Sequence, residues 1–466
     1  MSASDLDAST MNQFRNSGVE NHSTILLGAG ASVLSGLPSW DDFAIRLLTS
    51  SGSADEQTAR TLLSRQDPMI VVEAARDAAE CDSEWERLLR RALYSGISVG
   101  ESLVPSPLHE ETVGHYLEQP EKTSLITLNF DTLIEQVLQD ATGETVSSIT
   151  DRWENNSSPS VHHLHGIITP KEIQDVVLTI RDFTTLIERR NSWQVSYLEK
   201  AVKRGALIIA GTSYRDPDLR QWLHKALLEK PEGHKAFVLL AREGFEVSKE
   251  DFDQLKRPLS DQWKAIGLQP VLLQDHSDAA QIIRELRHIN NDGYLAPQER
   301  CQMIWDEHQM QFHELQANYV NLLSSDAAML KREIGVENID LTLWMSNGQG
   351  ELVRWASQDR IYRDLATLRR ISTGHDSDWI AGMALGEDSQ LFEELPESPT
   401  RRWRSVLAVP VRVAVPRHHL VSSAVLTIGL PDKREVYLET MLTWEEKVLE
   451  MVDEWGQRLE DSVRLG

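Results

Sequence analysis

Cysteine is nearly missing from this chain. Among 466 residues there are two, Cys81 and Cys301, far apart in sequence. That excludes a disulfide scaffold, a four-cysteine zinc ribbon and a cysteine-ligated cluster, and it suits a reducing compartment. Basic residues are also short: 47 Lys and Arg face 72 Asp and Glu, a formal charge of −25. No excess of cations exists to release counterions from phosphates, so general nucleic-acid binding is not expected. No apolar run reaches the roughly 20 residues that span a bilayer. The first residues, Met1-Ser-Ala-Ser-Asp-Leu-Asp7, lack a basic region followed by an apolar one. A cytoplasmic protein without a membrane partner is the expectation. Internal repeats and long low-complexity tracts are absent too.

What is present fits a globular protein, with 41% apolar and 26% charged residues. The length exceeds one ordinary core, so two or three domains are expected. From Ser23 to about Asp275, short apolar runs alternate with longer amphipathic stretches. The predicted strands are Ile25–Leu27, Leu125–Leu128, Val161–Leu164, Val176–Ile180, Leu207–Ala210, Ala236–Leu240 and Val271–Leu273. Trp40–Leu48 and Ser83–Leu93 read as helices. Continuously apolar strands between helices predict an α/β fold, a Rossmann-like parallel sheet covered on both faces. Turn residues at Asn290–Pro297 mark a boundary, giving domains 1–295 and 336–466 joined by an amphipathic helical segment, 296–335. One long helix is predicted over Gln298–Glu333, its stripe of Met303, Phe312, Leu315, Tyr319 and Leu322 serving docking or dimer packing. The C-terminal texture is α+β: alternation at Leu341–Trp344, a hairpin turn at Gly348-Gln-Gly350, adjacent strands at Val406–Val415 and Val421–Ile428, and a last helix through Trp444–Leu459.

Four segments carry chemistry, each at the end of an apolar run, where ligands of such sheets sit. Gly28-Ala29-Gly30-Ala31-Ser32 follows a strand. Its glycines let the backbone approach a pyrophosphate, and the helix start after them offers free amide donors. Val33 stands where a third glycine would complete the usual dinucleotide pattern, so a tight turn without ligand is the alternative. Asn129 and Asp131 follow the next strand. They can hold a ribose hydroxyl, a water or a carboxamide, or cap the helix Thr132–Leu138. In His162-His163-Leu164-His165-Gly166, a strand would put His163 and His165 on one face and His162 on the other. Without nearby cysteine or an H-E-x-x-H pattern no metal site is expected; His165 is a general base or a core histidine bonded to backbone. Gly211-Thr212-Ser213 precedes Asp216-Pro217-Asp218. Its hydroxyls can meet a ribose or phosphate, or Ser213 or Asp216 can cap a following helix.

Together the four segments resemble the sirtuin family, over roughly residues 20–285. The glycine turn with Ser35-Gly36-Leu37-Pro38 resembles its phosphate-binding start, Asn129 and Asp131 its Asn-x-Asp motif, His165-Gly166 its His-Gly motif and Gly211-Thr212-Ser213 its Gly-Thr-Ser motif. Two departures stand out. The four zinc cysteines of the family's deacetylases are missing, and Ser39-Trp40-Asp41 replaces the usual Asp-Phe-Arg. Both point to the bacterial sirtuin-like branch that resembles NAD-consuming effectors of anti-phage defence. The resemblance implies an NAD+ glycohydrolase, with NAD+ as substrate and no cofactor. It implies Asn129 and His165 as catalytic residues, and Gly28, Ala29, Gly30, Ser32, Asp131, Gly211 and Ser213 as contacts to the dinucleotide. A non-catalytic NAD or ADP-ribose sensor is the alternative. The C-terminal part, through Arg404–Val411 and Ala424–Gly429, resembles a GAF sensor domain. That implies a small-molecule or protein trigger and, for a toxic activity, gating by this domain or by homo-oligomerisation.

Overall fold

The computed structural model describes residues 6–97, 103–152, 159–188, 192–212, 217–228, 230–245, 247–396, 402–438 and 440–464. The chain forms two compact units. One comprises Phe14–Leu272 with Ile282–Asn290, the other Met1–Gln13, Leu273–Gln281 and Asn291–Gly466. Among the described residues, no helix is long and apolar enough to cross a membrane.

Among the described residues, the first unit is built on nine strands. These are β1 (Ser23–Leu27), β2 (Thr123–Thr127), β3 (Ser147–Ile149), β4 (Ser160–His163), β5 (Ile167–Ile168), β6 (Ile173–Gln174), β7 (Ala206–Ala210), β8 (Ala236–Ala241) and β9 (Gln269–Leu273). Seven form one sheet in the order β3-β4-β2-β1-β7-β8-β9, while β5 and β6 make a separate small hairpin. Pairing is parallel from β3 through β8. All residues of β1, β7 and β8 are buried, because helices cover both faces and leave no polar side to alternate with. The result is a Rossmann-like α/β sheet, whose strand order reverses between β1 and β7. That switch point opens a crevice at the carboxyl ends of the strands.

Between β1 and β2 lie the helices Trp40–Ser50, Glu56–Leu63, Pro68–Ala78 and Asp82–Tyr94. Their apolar faces close a core that includes Phe43, Leu47, Leu63, Val72, Trp85 and Leu89. Ser39, Asp55 and Asp67 cap the first three by accepting backbone amides of the first turn, as helix starts require. Val176–Ile180 is not a strand. Residues 176–179 are irregular, and a helix begins at Ile180. Asp182 Oδ2 takes the amides of Leu178 and Thr179 at 3.2 and 3.0 Å, which converts a β-branched run into a capped helix entry.

The second unit holds β10 (Asp340–Ser346), β11 (Glu351–Ser357), β12 (Arg370–Ser372), β13 (Leu391–Glu394), β14 (Ser405–Val413) and β15 (Val421–Leu430). They form an antiparallel sheet in the order β12-β11-β10-β15-β14-β13. Alternation assigns its faces: Leu343 and Met345 enter a core with Trp305, Tyr319 and Trp455, whereas Trp344 joins Ala384 and Leu385 of the helix Ile380–Glu387. The predicted helix Gln298–Glu333 is two helices, Pro297–Met310 and Phe312–Ile334, broken at Gln311. No glycine or proline marks that break. Leu6 and Met11 are buried, and the Gln298 amide donates to the Leu6 carbonyl at 3.0 Å, which ties the N-terminal segment into this unit.

Candidate active site

The first unit contains a cleft at the carboxyl ends of its strands. Gly28, Ala29 and Ser32 enter from the turn after β1, Asn129, Phe130 and Asp131 from that after β2, and His165 from that after β4. Leu37, Phe43, Met69, Leu93 and Leu178 supply apolar wall. Six of the nine sequence-derived site residues therefore meet in one place. Gly30 and Gly211 do not line it, and Ser213 lies outside the described residues.

The glycines do a different task from the one expected. The one-turn helix Gly30–Val33 spends its amides internally. Gly30 N–H donates to the Gly211 carbonyl at 2.8 Å, Ala31 to Gly28 and Ser32 to Ala29, each at 2.9 Å. The Gly28 amide donates to Ala210 at 2.9 Å. A Cβ on Gly30 would stand 3.1 Å from the Gly211 carbonyl oxygen. The turns after β1 and β7 thus fasten to each other, and the expected free amides at Gly30–Ser32 are not there.

Ser32 is the hub of a buried network. Its hydroxyl accepts from Asn129 Nδ2 at 2.9 Å and donates to Asp131 Oδ2 at 2.8 Å. His109 Nε2 stands 3.4 Å away. The His109 Nδ1 accepts the Ser106 amide at 3.2 Å, so its Nε2 carries the hydrogen and donates to Ser32. Burial holds His109 below the ordinary imidazole range, against the opposing pull of the Asp131 and Glu135 carboxylates, and it is the neutral tautomer. The hydroxyl's one donor and two acceptors are then all used. His109 escaped sequence reading. Its signal was Ser106-Pro107-Leu108-His109, a serine and proline helix start with histidine three residues after the cap.

Asp131 both caps and lines. Its Oδ1 accepts the Leu133 amide at 3.1 Å at the start of the helix Leu133–Thr142, and each oxygen keeps a spare lone pair. Asn129 plays no part in that cap. Its amide hydrogen goes to Thr127 Oγ1 at 2.9 Å and its Nδ2 to Ser32. Its Oδ1 is buried and has no partner.

The three histidines separate. β4 ends at His163, so His165 lies in a turn and the two do not share a strand face. His162 packs on Tyr197, ring centroids 4.4 Å apart. His163 is wholly buried between the Asn129 carbonyl and Glu135. His165 alone reaches the cleft, between Phe130 and Trp222 at 6.5 and 5.3 Å. Gly166 must be glycine: with φ +84°, a Cβ there would meet the Gln174 carbonyl oxygen at 2.3 Å.

Residues 123–271 match the family model of the SIR2-like domain. The match starts at β2 and takes in Asn129, Asp131, His165 and Gly211. The glycine turn after β1 precedes it, yet the fold places β1 between β2 and β7. In a search of curated proteins, none matched the chain. The SIR2-like domain ties the cleft to a family of NAD-related enzymes and accords with the Rossmann-like sheet that carries it.

Proposed function

We propose that the SIR2-like domain hydrolyses NAD+ at the bond between nicotinamide and ribose, releasing nicotinamide and ADP-ribose, with NAD+ as substrate and no cofactor. The observation that carries this reading is Asn129. A buried amide oxygen without a partner is costly unless a ligand or water uses it, and here it belongs to a residue of the cleft.

Nicotinamide departs as a neutral molecule from a cationic pyridinium, so the leaving group needs no acid. The site must stabilise a cationic ribose and present water. Asp131 supplies negative charge in a cleft with apolar walls, where a fixed charge acts more strongly than in water. Asn129 Oδ1 accepts from a ribose hydroxyl or from the attacking water. His165 takes the proton of that water. Gly28, Ala29 and Ser32 border the rest of the dinucleotide, Gly30 and Gly211 brace that border, and Ser213 adds a hydroxyl after β7.

In this reading the second unit is a GAF-like regulatory module. Support comes from its antiparallel sheet, whose first and last strands, β10 and β15, pair at the centre between helical layers. An NAD-depleting effector of anti-phage defence, cytoplasmic and homo-oligomeric, held in check until a small molecule or protein engages this module, accommodates both units.

The test is to incubate the purified full-length protein with NAD+ and resolve the products by chromatography. Nicotinamide and ADP-ribose are expected, with loss in Asn129→Ala and a fall of about 10²–10⁴ in rate for His165→Ala. Parental turnover by His165→Ala would sink the general-base role. NAD+ that binds and stays intact would favour the non-catalytic sensor instead.

A further inference from the structure

Behind Asn129 an imidazole and a carboxylate, His163 and Glu135, are buried together. His163, the last residue of β4, stands in register with Thr127 of β2. Its ring is completely buried, and Glu135, in the first turn of the helix Leu133–Thr142, is nearly so. His163 Nδ1 lies 3.0 Å from the Asn129 carbonyl oxygen and Nε2 lies 2.7 Å from Glu135 Oε1. Ser148 donates to the same Oε1 at 2.5 Å.

We propose that His163, clamped between the Asn129 carbonyl and the Glu135 carboxylate, is a positioning residue that fixes Asn129 in its cleft-facing pose. The proposal rests on the reading of Asn129 as the residue that meets the substrate.

The donor count gives the ring its state. A carbonyl oxygen only accepts, so Nδ1 carries a hydrogen. A second hydrogen on Nε2 makes His163 an imidazolium that satisfies both acceptors, the Asn129 carbonyl and Glu135 Oε1. Burial by itself would lower the affinity of His163 for its second proton, but Glu135, the Asn129 carbonyl and Asp131 together outweigh it and the net shift is upward. Tyr94 and His109 also feel the charges of Asp131 and Glu135.

The clamp completes a pattern. The Asn129 amide hydrogen is held by Thr127, its carbonyl by His163 and its Nδ2 by Ser32, at 2.9, 3.0 and 2.9 Å. Three of its polar groups are fixed from separate elements, and the fourth, Oδ1, is left for a ligand. A buried ion pair is a poor source of net stability. Its geometric use is to hold a neighbouring backbone where neutral packing would let it shift, and a displacement of about 1 Å in such a site costs on the order of 10² in rate.

The experiment uses the full-length chain as wild type, Glu135→Gln and His163→Asn, with histidine ring nitrogens read by 15N NMR beside steady-state kinetics on NAD+. In the wild type both His163 ring nitrogens are expected to be protonated at neutral pH, and in Glu135→Gln the second proton is lost at lower pH. The kinetic expectation is a fall of about 10- to 100-fold in kcat with little change in KM, and an alkaline limb of kcat moved to lower pH in Glu135→Gln. A neutral His163 ring in the wild type, or an unmoved kcat and alkaline limb in Glu135→Gln, overturns the proposal. Glu135→Gln is nearly isosteric and keeps the test decisive if His163→Asn does not fold. Should the wild type release no nicotinamide, the hydrolase reading alone fails. The ring spectrum and the Asn129 side-chain amide resonance then decide: an amide shifted in Glu135→Gln supports the clamp, and a neutral ring or an unmoved amide overturns it.

Discussion

Gly28 and Gly211 meet across the turns after β1 and β7: a Cβ on Gly28 would lie 2.6 Å from the Gly211 carbonyl oxygen and 2.7 Å from Thr212 Cα. Both obstacles are backbone, which cannot swing aside as a flexible side chain can. Gly28→Ala is therefore expected to cost about 1–3 kcal/mol, the usual range for overpacking. It would also push the turn after β1, which borders the cleft, away from the turn after β7 that braces it. Urea unfolding checks the first effect and NAD+ turnover the second; an alanine variant as stable as its parent would show that the turns are not fastened in this way.

Ser32→Ala removes one hydroxyl and strands three buried groups, Asn129 Nδ2, Asp131 Oδ2 and His109 Nε2, which meet it at 2.9, 2.8 and 3.4 Å. Leaving a buried donor or acceptor unmade costs about 1–3 kcal/mol. The freed Asn129 side chain should lower kcat as well as stability. Ser32→Cys is a weaker replacement on both counts, since a thiol is a poor donor and acceptor. Parental kcat in Ser32→Ala would mean that Asn129 is held well enough by its backbone alone.

Acid should weaken both units. His115 in the first and His308 in the second each have a folded pKa lowered from 6.5 to about 4. Burial is the main cause for both, joined at His115 by Arg287 and His288 and opposed at His308 by the Ile304 carbonyl. The unfolded chain takes up these protons first as pH falls. The stabilisation is thus complete above about pH 6.5 and is lost progressively towards pH 4. Between pH ~7 and pH ~5 each histidine accounts for about 2 kcal/mol. Thermal melts across that range should shift downward, and His308→Gln should flatten the dependence for the second unit. A pH-independent melting temperature would contradict the buried neutral state.

The sheet and the meeting point of the site were legible because a parallel sheet buried on both faces writes its strands as unbroken apolar runs. Leu207–Ala210 is such a run, wholly buried. Such a sheet also collects the residues after each strand on one rim, so Asn129 and His165 could be joined without knowing any distance. Where the same signal failed, a local cap overruled it: Val176–Ile180 has strand composition, but Asp182 captures two of its amides and starts a helix. Ser147–Ile149 was too short and too polar to announce a strand. The break at Gln311 carries no breaker residue, so periodicity ran through it. At the cleft, Asn129, Asp131 and His165 showed but their supports did not. His109 and Glu135 sit on helices, and only the fold brings them to Ser32 and His163.

The second unit offers a way to test regulation without touching the cleft. Trp455 is fully buried on the helix Met441–Arg464, its Nε1 donating to Asp326 Oδ2 at 2.8 Å and its ring edge-on to Tyr319 at 5.2 Å. Arg458 reaches the same Asp326 oxygen at 2.9 Å. Trp455→Ala opens a cavity worth about 3–5 kcal/mol in that core and leaves Asp326 with one donor fewer. Trp455→Phe keeps most of the ring and loses the N–H, at about 1–3 kcal/mol. All cleft residues come from the stretch Gly28–Leu178, so an autonomous SIR2-like domain would hydrolyse NAD+ at the parental rate in either variant. Gating predicts otherwise: the rate or the assembly state should change, and change more for alanine than for phenylalanine. Turnover measured beside mass per particle by light scattering decides it, and equal rate with equal mass in Trp455→Ala counts against control by this unit.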